Sequence, residues 1–303
     1  MSVSRRAAGL LAAGCIAAWA AGPAAAASLQ SCTDSPELSA AQQGVLLQVS
    51  QRVKDELARR GAAVALVSRS GLALGWFGMR YSHAGVALRA SPETPWAVRQ
   101  LYFACDEKQP RLFDQGLTAF LMGTLEPELG YLSVVVLPPD AARALEARAL
   151  DSGAALALLG ARYSANAYPY SEAYQNCNQW LAELLADAWG GPFATQPRQQ
   201  AQQWLRTRGF RGADFQLPAR PFLWLTAFSP WLNRDDHPEA QLAEARFEVA
   251  MPTAIEAFVQ RVHPQAERFE LCHTKTRMVV RRGWTPIADG CVAAEGDEVT
   301  ELN

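Results

Sequence analysis

The 303-residue chain predicts an α+β protein: a small antiparallel sheet packed against helices, with a C-terminal helix and β-hairpin extension. Three observations lead there. Short apolar runs rich in β-branched residues alternate with Gly-, Pro- and Ser-containing turns, and neighbouring runs lie close enough to pair as hairpins. Between them stand segments with apolar residues three and four apart, bounded by helix start and stop signals. Hydrophobic residues make up 50% of the chain and charged residues 19%, which is the composition of a folded globule with a sizeable core.

Taken in order, residues 39–60 read as an amphipathic helix. Ser39 and Gln42 form a capping box, Leu46, Val49, Val53 and Leu57 supply the apolar stripe, and Gly61 stops it. A strand follows at 62–69, then the Gly-rich loop "GLALGWFGMR". A second strand covers 81–89, a turn falls on "SPETP", and a third strand covers 96–105. A short helix is expected over 112–122, a strand over 131–138, and a helix over 139–150 with Pro139 in its first turn. Further helices are expected at 177–189, ended by Gly190 and Gly191, at 197–209 and at 254–262. The chain closes on a hairpin over 268–284 that turns near Thr274 to Thr276. Between Pro218 and Pro238, Pro and Trp density marks a connecting segment. The paired Arg281 and Arg282 read as a solvated face of the hairpin, with anion binding the alternative.

The first 27 residues read as a secretory signal. Arg5 and Arg6 precede an apolar stretch and a run of small residues, with cleavage expected after Ala27. Ser4-Arg5-Arg6 also offers a twin-arginine reading. Leu11 to Cys15 offers a lipoprotein cleavage site, but the apolar stretch continues well past Cys15. Gly14 and Gly22-Pro23 interrupt the segment, which argues against a retained span, and no later segment is long and apolar enough to cross a bilayer. Losing Arg5 and Arg6 takes the formal charge from −2 to −4. That balance, with no Lys/Arg block, excludes a nucleic-acid-binding surface of the usual kind. The expected domains are thus the signal (1–27), a main domain (28–217) and the C-terminal extension (218–303), the last stapled by a disulfide.

Six cysteines stand at 15, 32, 105, 177, 272 and 291. Cys15 leaves with the signal. An odd remainder in an exported chain implies a free thiol or an intermolecular bridge. Cys272 and Cys291 flank the hairpin and are natural partners. Cys32 with Cys105 is then the second pair, which isolates Cys177, although spacing alone leaves the connectivity open.

Cys177 opens the run "CNQWLAELLADAW", and Leu181, Leu184 and Ala188 share its helical face. A thiol at a helix N-terminus meets unpaired N–H groups and the positive end of the dipole. Both lower its pKa, and the same N–H groups can stabilise an oxyanion. The bland reading is a buried free cysteine at a helix start. Of the four histidines, His237 and His263 precede prolines in loops, and His273 adjoins a bridged cysteine. None pairs at metal-ligand spacing, so no metal and no cofactor is expected. His83 starts a strand of small residues, "HAGVAL", on which Gly85 and Ala87 share its face and leave room for a close neighbour. Its bland reading is a hydrogen-bonded, half-buried histidine. Together, Cys177 and His83 meet the requirements of a thiol and its base.

The stretch Tyr81-Ser82-His83-Ala84-Gly85-Val86, followed by Asn176-Cys177-Asn178-Gln179-Trp180, resembles the NlpC-type papain-like thiol hydrolases in their circularly permuted branch. That branch carries histidine before cysteine. The motif Asn-Cys-x-x-aromatic is similar to that of lecithin:retinol acyltransferase-like proteins, and the likeness covers roughly residues 40 to 210. The whole chain also resembles an uncharacterised family of exported bacterial proteins assigned to no reaction. The papain-like resemblance implies a third polar residue on the strand after His83 that orients its ring. Arg99 only donates, whereas Gln100 can accept through its amide oxygen; Asp106 is the reserve. No second histidine follows there, a departure from the lipid-acyltransferase pattern. The resemblance therefore implies an exported cysteine hydrolase with Cys177, His83 and Gln100 as its catalytic set. Its substrate would be a peptide or murein amide bond first, an acyl ester or thioester second. A noncatalytic binding module on the same scaffold is the competing reading. Tyr168, Tyr170 and Tyr174 could line a groove, with Gln175 an extra oxyanion donor; a rigid aromatic connection packed on the core is the simpler account.

Overall fold

The computed structural model describes residues 37–302. The expected signal (1–27), Cys15 and Cys32 lie outside the described residues. The chain opens with helix α1 (Ala40–Arg59), whose Ser39 and Gln42 make the reciprocal capping box that the sequence predicts. Strands β1 (Val64–Arg69), β2 (His83–Leu88), β3 (Ala97–Ala104) and β4 (Gln109–Gly116) follow, then helix α2 (Leu117–Met122) and strand β5 (Gly130–Val136). Helices α3 (Pro139–Leu150), α4 (Ser152–Ala157), α5 (Cys177–Gly190) and α6 (Pro197–Thr207) come next. Strand β6 (Ala213–Gln216), helix α7 (Glu239–Ala243), strand β7 (Arg246–Val249) and helix α8 (Pro252–Val262) precede the last strands, β8 (Glu267–His273), β9 (Arg277–Arg282) and β10 (Glu298–Glu301).

Among the described residues, eight strands make one antiparallel sheet in the order β10-β9-β8-β5-β1-β2-β3-β4, and β6 and β7 pair separately. Helices cover both faces. Val64, Leu66, Val86 and Leu88 pack under α3, α5, α6 and α8, while Ala65, Val67, Ala87 and Val98 pack under α1 and α2. This is why β1 and β2 read as unbroken apolar runs: strands buried on both faces have no solvent side to alternate toward.

The sheet is larger than the small one expected, for two reasons. First, the helix expected over 112–122 is helical only from Leu117. Residues 109–116 are β4, paired along their length with β3, so the edge backbone of β3 finds partners in a strand and not in water. Second, the hairpin over 268–284 forms as β8 and β9, with Thr274 N–H donating to the Arg277 carbonyl, but it also joins the main sheet. β8 pairs with β5 from Glu267 to His273. Cys272 and Cys291 are bridged, with Cα atoms 5.6 Å apart. Cys105 is disulfide-bonded; Cys32, its expected partner, lies outside the described residues. The paired hairpin arginines are held by acids: Arg281 by Asp297, and Arg282 by Glu56 and Glu298. Among the described residues no helix is long and apolar enough to cross a membrane.

Candidate functional site

Helix α5 is buried over most of its length, its polar residues Gln179, Glu183 and Asp187 included. Its start is fixed by Asn176, whose side-chain oxygen accepts from Gln179 N–H at 2.7 Å and whose amide donates to the carbonyls of Ala165 and Ala250. Cys177 is the first helical residue, buried and unbridged. Its face runs through Leu181 and Leu184 into the core shared with Ala84 and Val86 of β2. Asn178 Nδ2 donates to the Ser82 carbonyl at 3.3 Å, which ties the start of α5 to the residue preceding His83.

His83 opens β2 and turns to the opposite face, where its ring stands 5.9 Å from that of Phe120 on α2 and edge-on to Tyr102. Gln100 meets it from β3. His83 Nε2 and Gln100 Oε1 are 2.5 Å apart, and Gln100 Nε2 donates to Gln115 Oε1 at 2.8 Å. The second bond commits the amide nitrogen, so the oxygen faces the ring. An oxygen only accepts, so His83 carries its proton on Nε2 and leaves Nδ1 with a lone pair. Gly85 makes this approach feasible: a Cβ there would lie 2.6 Å from Val98 Cγ1 and 3.2 Å from Gln100 Cβ. The room expected beside the small residues of β2 is thus filled by its neighbour strand.

The structure brings His83 and Gln100 into contact and seats Cys177 at the same end of β2. Among the described residues, no hydrogen bond joins the Cys177 sulfur to His83. Asp106 lies exposed in the turn after β3. Burial pushes the Cys177 thiol up to about 12, against the pull of the Asn178 backbone N–H, Arg69 and the Cys177 backbone N–H. The helix start therefore acts in the expected direction, but desolvation outweighs it. Burial first, and the nearby Arg69 charge second, push His83 down to about 3, while its bond to Gln100 works the other way. At neutral pH the pair is thiol and neutral imidazole.

Gln175, Tyr170 and Tyr174 are held by other bonds. Gln175 donates to the Leu158 carbonyl and to Glu183, and its oxygen accepts from Gly160 N–H, so its amide is fully engaged in the core. Tyr170 donates to the Phe210 carbonyl and Tyr174 to Asp235, as a packed connection requires. Arg69 was not read as a site residue. It ends an apolar strand directly across from His83, and only the register places it there.

Fold and site together define an α+β protein with an antiparallel sheet held between helices, a histidine–amide pair at one end of β2, and a buried thiol on the helix tied to that end. Residues 56–259, more than half of the chain, match the family described as an uncharacterized protein conserved in bacteria (DUF2145), and the chain belongs to that family. No curated protein and no solved structure matches it.

Proposed function

We propose that this chain is an exported cysteine hydrolase of papain-like type, acting on a peptide or murein amide bond. The observation that carries the reading is the Gln100–His83 bond, which leaves a free base on Nδ1 at the strand end to which Asn178 ties the thiol-bearing helix. In this reading the Cys177 sulfur attacks the carbonyl carbon as its proton passes to His83 Nδ1. The backbone N–H of Cys177 stabilises the oxyanion. His83 returns the proton to the departing amine as the C–N bond breaks, and water then cleaves the thioester to release the acid and restore the thiol. Because the resting pair is neutral, proton transfer accompanies attack. An acyl ester or thioester would follow the same steps.

The burial of Cys177, 7% exposed, favours a second reading, a noncatalytic module that keeps the scaffold. The two separate in one assay. The purified protein is incubated with murein fragments and with peptides, and newly released amines are counted. The hydrolase reading expects release by wild type and loss of it in Cys177→Ala and His83→Ala. Equal release by wild type and Cys177→Ala, or none by any of them, leaves the module.

A further inference from the structure

Buried arginines in this fold are paired with acids. Arg99 meets Asp114, and Arg268 meets Glu256 and Glu270. Arg69 is different. It is 5% exposed, and among the described residues no carboxylate reaches it. Nη1 donates to the Ser70 carbonyl at 3.3 Å, and the guanidinium lies over the Phe120 ring at 5.2 Å. Nε has no hydrogen-bond partner. A buried cation with an idle donor is costly unless something else compensates it. Two glycines let its fork pack this closely: a Cβ on Gly123 would lie 2.6 Å from Nη2, and one on Gly71 would lie 2.4 Å from Nη1.

Its position is specific. Arg69 is the register partner of His83, and Tyr102, which packs edge-on against that histidine, also stands beside the guanidinium. Its charge is felt at both Cys177 and His83. We propose that Arg69 anchors a carboxylate of the substrate, so that the scissile carbonyl belongs to an acyl or peptidyl group with a free carboxylate close by. A carboxylate takes two parallel N–H bonds from one guanidinium edge, and Nε, one donor of such an edge, is uncommitted here. The inference rests on the hydrolase reading, and it narrows the substrate to anionic acyl compounds.

Iodoacetate and iodoacetamide separate the two ideas, since one carries the carboxylate and the other a neutral amide of the same shape. In both, the Cys177 sulfur displaces iodide and loses its proton. Labelling of Cys177 is followed by mass spectrometry and referred to free cysteine under the same conditions. The anchor predicts that wild type favours iodoacetate by about tenfold relative to free cysteine, the factor worth ~1.4 kcal/mol. It also predicts that acetate slows labelling by iodoacetamide in wild type. Arg69→Gln loses the preference, and Arg69→Lys keeps a part of it. Iodoacetamide labelling with no preference for iodoacetate in wild type overturns the anchor while leaving the thiol intact. An unchanged preference in Arg69→Gln overturns it also. If neither reagent modifies Cys177, the hydrolase reading fails and the anchor falls with it.

Discussion

At the scale of single residues, the site turns on which atoms are committed. Gln115 fixes Gln100, and Gln100 fixes the His83 tautomer. Gln100→Leu removes the acceptor and frees the ring, so kcat should fall by on the order of 10²-fold with KM little changed, while Gln100→Glu keeps an acceptor and most of the rate. A larger KM effect than kcat effect would place Gln100 in binding. The titration of His83 also bears on stability. Its folded pKa of about 3 lies below the ordinary 6.5, so between those values the unfolded chain takes up a proton that the folded chain does not. The His83 contribution to stability is complete above pH 6.5 and is lost as pH falls toward 3. Wild type should lose more stability across that window than His83→Phe, as read by denaturant titration; parallel curves would contradict the burial account. Much at this scale was legible. The cysteine count isolates Cys177, and hydrogen-bonding capacity points to Gln100 over Arg99. Arg69 was not, because an arginine closing an apolar strand looks the same whether its head reaches water or folds back under a glycine.

At the scale of elements, local signals were reliable where the chain supplies its own partners. The capping box of α1 and the proline start of α3 depend on groups within a few residues. Strand β4 was misread because its apolar residues run into those of α2, and only the long pairing with β3 decides the boundary. The edge strand β10 and the β6–β7 pair escaped for the same reason: short strands are set by what they lie against. Two links between elements can be tested. The Cys272–Cys291 bridge closes a short loop, and replacing both cysteines by serine should cost about 2–4 kcal/mol, seen as a lower Tm. Glu56 on α1 gathers Arg52, Arg59, Arg60 and, from β9, Arg282. Burial opposes its charge, but the bonds from Arg60, Arg59 and Arg282 prevail and hold its carboxyl down at about 2. Its contribution is therefore present above about pH 4.5 and fades as pH falls toward 2. Glu56→Gln should destabilise at neutral pH, and the gap from wild type should close below pH 4.5. A gap independent of pH would rule out the ion cluster as its source.

At the scale of the whole molecule, the fold class was readable and the extent of the sheet was not. Periodicity and turns give helices and hairpins, but the joining of β8 to β5 links residues more than a hundred positions apart, and no local pattern carries that. Its consequence is mechanical. The candidate site lies at β1, β2, β3 and the start of α5, while three of the eight strands of the sheet, β8, β9 and β10, come from the C-terminal residues. Ending the chain at Val262 would remove β8, β9 and β10 and leave the β5 edge open. Such a chain should lose cooperative unfolding and aggregate; a soluble fragment with a sharp transition would show that the C-terminal strands are dispensable. The central claim remains that Cys177 and His83 act as nucleophile and base. Intact-mass spectrometry after rapid mixing with an activated acyl ester tests it most directly. The account predicts an acyl adduct on Cys177 that forms and decays in wild type, forms far more slowly in His83→Ala, and is absent in Cys177→Ala. An adduct on another residue, or equal acylation of wild type and His83→Ala, would contradict it.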